Sequence, residues 1–213
     1  SCKFLNFPVV SGNVSFYNGT NKKNINPTPV IGGVGLIKNL SKTISHKIKK
    51  EDNIILLIGK TFGHLGQSTF LEEVHSINDG EPPEVNLVNE KNNGENVLAL
   101  INKDLIESVH DVSSGGLLVA LSEMCMGSNF GVRIDKPKRL SNLIEYFFGE
   151  DQSRYVLEVN KNHLSKVQKI LEASNVFYEK IGSTQKDFLE IIGEMKISIK
   201  YLYKTNNQWY NNY

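Results

Sequence analysis

A chain of 213 residues, 39% hydrophobic and 22% charged, has the balance of an ordinary folded protein of one or two domains. Its formal net charge of +1 gives no electrostatic reason to expect a nucleic acid or an anionic membrane as partner. The longest apolar run, Ile54-Ile55-Leu56-Leu57-Ile58, falls far short of the ~20 residues that span a bilayer. No basic segment followed by an apolar one opens the chain as an export signal would. Two cysteines, Cys2 and Cys125, have no metal-ligand spacing and fit reduced thiols better than a disulfide framework.

In chain order, residues 1–7 read as the last turn of a helix entering a strand. Within residues 8–18 and 27–37, β-branched runs flank a bend that brings Gly, Asn and Ser within four positions; Pro29 can start a strand but not sit in its hydrogen-bonded middle, and residues 30–37 alternate apolar with small side chains as a tightly packed strand would. The polar insert 19–26 between them is rich in turn formers and expected to be a mobile loop. Gly12-Asn13-Val14-Ser15 lies within the first run. Gly12 permits a positive φ and lets a ligand oxygen approach a bare amide. Asn13 offers the hard oxygen that a Mg²⁺ shell takes. Ser15 can donate its hydroxyl to a phosphate or a substrate oxygen. Alternation along a strand would put Asn13 and Ser15 on one face. Taken as residue types alone, such a tetrapeptide more often marks a turn.

The basic stretch Lys42 to Lys50, with His46 inside it, reads as a solvated connector, open to proteases like the insert. Residues 53–59 form a buried strand, because an apolar run of this length lacks the alternation of a half-exposed one. Ser68 caps a helix beginning at Thr69, with Glu72 and Glu73 at its positive end. Pro82 and Pro83 exclude a helix interior, and an imperfect helical spacing follows over residues 85–105. A strand is expected at 106–112, a helix at 117–126, a strand at 131–134 and a short helix at 142–148. Then come a strand at 155–159, a helix at 161–174, and strands at 177–181 and 188–192 with residues 183–186 turning between them. The tail, with Tyr201, Tyr203, Trp209, Tyr210 and Tyr213, reads as a docking helix. The class is α+β or mixed α/β, a sheet covered by helices.

Several polar constellations compete for chemistry. His64, between glycines, has an unperturbed pKa near ~6.5 and the makings of a base, but a tight loop closed by its imidazole is the stronger reading. His110-Asp111 precedes Gly115-Gly116, where helix-start amides can hold an anion; an Asp111 that caps the loop is favoured. In Gly149-Glu150-Asp151-Gln152-Ser153-Arg154, an ion pair that fixes the loop and a site-facing role stand level. His46, His75 and His163 read as surface histidines. The Gly32-Gly33-Val34-Gly35 run lies in an expected strand and does not open a helix, so it is no dinucleotide fingerprint.

Five blocks carry a resemblance: Pro8-Val9-Val10-Ser11-Gly12-Asn13-Val14-Ser15-Phe16-Tyr17-Asn18 followed by Pro27-Thr28-Pro29-Val30-Ile31-Gly32, Gly59-Lys60-Thr61-Phe62-Gly63-His64-Leu65-Gly66-Gln67-Ser68, Gly80-Glu81-Pro82-Pro83, His110-Asp111-Val112-Ser113-Ser114-Gly115-Gly116-Leu117, and Phe148 to Arg154. In this order the chain resembles the synthetase subunits of the phosphoribosylformylglycinamidine synthase family, within the aminoimidazole-ribonucleotide-synthetase-like superfamily. Ser114 stands where that family usually has Asp. The resemblance implies a C-terminal part of a longer polypeptide: residues 1–40 the end of a nucleotide-binding domain, 41–52 a connector, and 53–213 a complete superfamily C-terminal domain. It implies an ATP- and Mg²⁺-dependent ligase of purine synthesis, in which Gly12 contacts ATP, Asn13 binds Mg²⁺ and Ser15 contacts formylglycinamide ribonucleotide. It assigns no catalytic residue to this segment. Implied partners are a glutaminase subunit that supplies ammonia and a small accessory subunit, in the cytoplasm. The rival readings are another superfamily enzyme, such as aminoimidazole ribonucleotide synthetase, or a non-catalytic docking domain.

Overall fold

The structure is a computed structural model that describes residues 1–25, 28–137 and 142–211. Asn26 of the insert, Pro27 of the resembling block and Tyr213 of the tail lie outside the described residues. Two units result, Ser1–Ser41 and Lys42–Tyr213.

In the first unit, residues 2–6 turn, closed by Leu5 N–H to the Ser1 carbonyl and Phe7 N–H to the Cys2 carbonyl, both 2.9 Å. The insert is a small hairpin and not merely a loop: β1 (Gly19–Thr20) pairs antiparallel with β2 (Lys23–Asn24). Asn21 and Lys22 take φ 48° and 67°, the doubly positive pattern whose twist matches that of the flanking strands. Residues 8–18 and 28–37 are not the strands their composition suggests. β-branched residues favour a pleated, half-buried surface, but a strand exists only through the ladder it joins. Among the described residues no chain pairs with either run, and Val10 and Val34 are 92% and 97% exposed.

The second unit contains β3 (Ile54–Ile58), α1 (Thr69–His75), α2 (Leu87–Asn102), β4 (Ser108–Asp111), α3 (Gly116–Met126), β5 (Phe130–Ile134) and α4 (Leu143–Phe148). They are followed by β6 (Tyr155–Val159), α5 (Leu164–Ala173), β7 (Tyr178–Lys186), β8 (Phe188–Ile191), β9 (Met195–Ser198) and α6 (Ile199–Asn211). The strands form one sheet in the order β4-β6-β3-β7-β5-β8-β9, antiparallel throughout except where β5 meets β8.

β3 is apolar at every position because helices cover both of its faces. Ile55 and Leu57 pack with Leu117, Leu121 and Met124 of α3 and Tyr146 and Phe147 of α4. Ile54, Leu56 and Ile58 pack with Val97 and Leu100 of α2 and Val167 and Leu171 of α5. Full burial of each such side chain stabilises the fold by roughly 1.5–3 kcal/mol. No helix among the described residues is long and apolar enough to cross a membrane.

Two expectations change here. Residues 183–186 do not turn: β7 runs through them, paired with β5 along all four and with β3 at Ser183, and the chain reverses at Asp187, with φ 58°. Thr184 accepts Asn53 N–H on its hydroxyl at 2.8 Å, so polar residues that favour turns serve here to bond a neighbouring strand. The basic connector is held along its second half, although the Lys47, Lys49 and Lys50 side chains are exposed. Ile48 is buried in the core, and the fully buried Glu158 accepts from Lys49 N–H (2.9 Å), Lys50 N–H (3.1 Å), Asn53 Nδ2 (2.8 Å) and Ser108 Oγ (2.8 Å). A buried carboxylate requires such donors to replace its lost water. The protease sensitivity expected from the basic composition therefore does not extend to residues 48–50.

Candidate functional site

The turn after α4 ties the loops of the second unit together. Arg154, 1% exposed, donates Nε to the Asp151 carbonyl (3.1 Å) and Nη1 to Thr61 Oγ1 (3.2 Å), with Nη1 also 3.9 Å from the Asp151 carboxylate. Burial draws its pKa down; Asp151, then Tyr146 and Glu150, oppose that shift. Asp151 is itself buried, and its two oxygens accept the consecutive amides of Phe62 (3.0 Å), Gly63 (2.9 Å) and His64 (3.3 Å). Glu150 places one oxygen at the starts of two helices, accepting Thr69 N–H at 2.8 Å and Gly115 N–H at 2.7 Å. Ser153 bonds the Glu90 carboxylate, and its carbonyl accepts Asn93 Nδ2 at 2.8 Å.

In the segment Glu150–Arg154 the charges fix loops, and Asp151, Gln152 and Ser153 also line the cleft between those loops. The arrangement also corrects the role given to Asp111, whose carboxylate is 66% exposed beside His110 Nδ1 at 3.3 Å. Glu150 does the capping instead, and by taking the Gly115 amide it occupies the anion position that a phosphate would need. Gly116, with φ +73°, has room for no Cβ, which would come within 2.7–2.8 Å of the Phe148 and Gly149 backbone. The Ser114 side chain is exposed.

His64 directs Nε2 to the Glu81 carbonyl at 2.7 Å, while Gln67 donates to the carbonyl of Gly80 at 3.0 Å. The imidazole thus stitches the 59–68 loop to the 80–83 loop and is not placed as a free base. His75 is exposed, with its ring against Phe70, and His163 precedes α5 without a side-chain cap. His46 is exposed, as expected, but its ring meets His110.

Between these loops lies a cavity of about 310 Å³, lined by Phe62, His64, Pro83, Asn86, Asn89 and Gln152 among others. Three carboxamides can donate and accept there, and Phe62, 73% exposed, offers an aromatic face. Among the described residues that line it there is no lysine or arginine, so the cleft carries no cation for a phosphate. Asn86 and Asn89 were not legible as site residues. The apolar spacing starts a helix at Val85, whereas Asn86 is the N-cap and accepts Asn89 N–H at 3.0 Å.

Gly12, Asn13 and Ser15 belong to the first unit and are all exposed. The backbone there is irregular, so strand alternation does not align Asn13 with Ser15. Gly12 is not in the positive-φ region, and a Cβ there would meet nothing within 4 Å. Among the described residues no group of three or more His, Cys, Asp or Glu is arranged to hold a metal ion.

A family model, AIR synthase related protein, C-terminal domain, matches residues 50–193. The chain is 50% identical over 210 residues to the phosphoribosylformylglycinamidine synthase subunit PurL of Pelagibacter ubique (strain HTCC1062), covering 99% of this chain and 29% of that protein. It is 44% identical over 213 residues to the subunit of the same name from Nitrobacter winogradskyi, covering 100% of this chain and 29% of that protein. The chain thus spans less than a third of the length of these curated relatives. T. maritima PurL complexed with FGAR is similar in structure, with a TM-score of 0.62 at 18% sequence identity, over 77% of this chain and 30% of that one. Likeness at that identity is a likeness of fold. With the family model covering most of the second unit and both faces of its sheet built as described, this chain belongs to the AIR synthase related family, through its C-terminal domain.

Proposed function

We propose that this chain is the C-terminal part of a phosphoribosylformylglycinamidine synthase synthetase subunit, a cytoplasmic ligase of purine biosynthesis. The observation that carries the reading is 50% identity to a PurL subunit across 99% of the chain. The convergence of three sequence blocks, 59–68, 80–83 and 148–154, on the loops around one cleft supports it. Residues 1–40 are the end of a nucleotide-binding domain, 41–52 the connector, and 53–213 the superfamily C-terminal domain. The solved PurL relatives named with ATP and with FGAR, and the one named PurLQS, support ATP, formylglycinamide ribonucleotide and other subunits as ligands and partners. The partners proposed are a glutaminase and a small accessory subunit.

In the reaction, the γ-phosphoryl group of ATP passes to the amide oxygen of the substrate, releasing ADP. The nitrogen of ammonia then bonds to the amide carbon, the C–O bond to phosphate breaks, and the nitrogen sheds a proton to leave the amidine. Gly12 offers a backbone amide to ATP without a side chain in the way, and Ser15 donates its hydroxyl to the ribonucleotide. Their part is positioning, which converts an encounter into an intramolecular step. Mg²⁺, where bound, neutralises phosphate charge, and Asn13 would supply one hard oxygen to it. Asn13 alone does not make a Mg²⁺ site, so the remaining ligands come from elsewhere in the full-length protein.

The test uses the full-length enzyme. Asn13→Ala raises the Mg²⁺ concentration needed for half-maximal activity, and Ser15→Ala raises KM for the ribonucleotide by about tenfold, as loss of one hydrogen bond allows. Mg²⁺ and substrate titrations that superimpose on the unsubstituted enzyme would overturn the assignment, as would ammonia-dependent ATP hydrolysis by residues 1–213 alone.

A further inference from the structure

The connector lies along the free edge of the sheet, where Val109 of β4 donates its N–H to the Ser45 carbonyl at 3.3 Å. The next residue on each side is a histidine, and the two rings meet edge to face, with centroids 5.3 Å apart and planes at 63°. His110 has acceptors at both nitrogens: the Asp111 carbonyl at 2.7 Å from Nδ1, and the Glu123 carboxylate of α3 at 3.1 Å from Nε2. Neither partner can donate, so only an imidazolium satisfies both contacts. A neutral ring would turn one lone pair toward an oxygen.

His46 is in the opposite position. The charged groups around it are His110 and Asp111 on β4, Lys47 and Lys49 on the connector, and Glu123 on α3. Lys49 Nζ also donates to Ser45 Oγ at 2.9 Å, which keeps a cation at the same edge. Glu123 already faces His110, so a proton on His46 finds mostly positive neighbours.

We infer that the His46–His110 pair is a pH-sensitive latch that holds the connector on the edge of β4: closed while the His46 ring is neutral, and loosened when it takes a proton against His110. Burial first, then His110, lowers the pKa of His46 from its ordinary value. The unfolded or detached connector therefore binds more protons than the docked one in the range just below the ordinary histidine pKa. The His46 contribution is present above about pH 6.5 and is lost as pH falls from there. The consequence lies in the connector, since residue 42 continues covalently into the first unit.

The experiment is amide hydrogen exchange of the 213-residue chain, followed by NMR from pH 7.5 to pH 5 and corrected for intrinsic exchange. Val109 N–H should lose about fourfold in protection across that range, the effect of two unit charges repelling at this separation in water. His46→Phe keeps a ring against His110 but cannot take a proton, so its Val109 protection should stay flat. His46 is exposed, and His46→Gln serves as a second non-charging variant if the phenylalanine disturbs the edge. An acid loss that is absent from the unsubstituted chain, or that persists in both variants, overturns the latch.

Discussion

The two units carry the same kind of apolar sequence and treat it in opposite ways. In the second, Ile54 to Ile58 form a central strand buried on both faces. In the first, Val9, Val10, Val14 and Phe16, and then Val30, Ile31, Val34 and Leu36, are all at least 75% exposed. Both stretches have strong strand composition, and only one has neighbours with which to form a ladder. The difference teaches that composition supplies the tendency to extend, whereas pairing and burial supply the free energy.

The largest effect that would break this comparison comes from trimming one apolar side chain in each unit. Leu56→Ala, in the fully buried strand, should cost about 2–5 kcal/mol in chemical denaturation through the cavity it leaves. Val34→Ala should fall within about ±0.5 kcal/mol. Equal losses would mean that residues 28–37 are packed in solution.

A somewhat smaller effect sharpens the contrast in the polar contacts. Asp151→Asn keeps the shape but removes the charge that faces Arg154 and holds three loop amides; it should cost about 2–3 kcal/mol, since hydrogen bonds to charged groups are the strong ones. The same variant should speed hydrogen exchange at Phe62, Gly63 and His64 while leaving the first unit unaffected. Unaltered exchange at those amides would remove Asp151 from its organising role.

The smallest test needs no substitution. Burial pushes the Cys125 thiol up to about 12, so at pH 8 it is protonated as well as sequestered, whereas Cys2 is exposed. Because the thiolate is the reactive form, iodoacetamide at pH 8 should label Cys2 and spare Cys125 in the native chain, and label both in denaturant. The raised pKa favours the folded state while the thiol stays neutral, a contribution lost as pH climbs above the ordinary thiol value. Native labelling of Cys125 at the rate of Cys2 would show that α3 opens readily.

Much of the second unit could be read from local pattern. The β3 run, the Ser68 cap (which accepts Leu71 N–H at 3.3 Å), the Leu117 to Met126 stripe and the Tyr155 to Val159 strand each follow from short-range periodicity or from one side chain reaching one amide. The loop character of the Gly59 to Gln67 and Gly80 to Pro83 segments was also local. What local pattern could not supply was any bond between partners distant in sequence. Glu158 meets Lys49 and Lys50, Glu150 meets Thr69 and Gly115, and Asp151 meets residues 62–64 only through the tertiary fold. The same limit explains Ser183 to Lys186, where turn-forming residues are held straight by the ladder with β5, and residues 8–18, where strand-forming residues have no strand beside them among the described residues. By itself the sequence determined where the chain can bend, extend or coil, because those preferences act within a few residues. Which segments pair, which carboxylates are buried and which loops meet around a cleft was decided by the tertiary structure, because hydrogen bonding and burial are satisfied across the whole molecule.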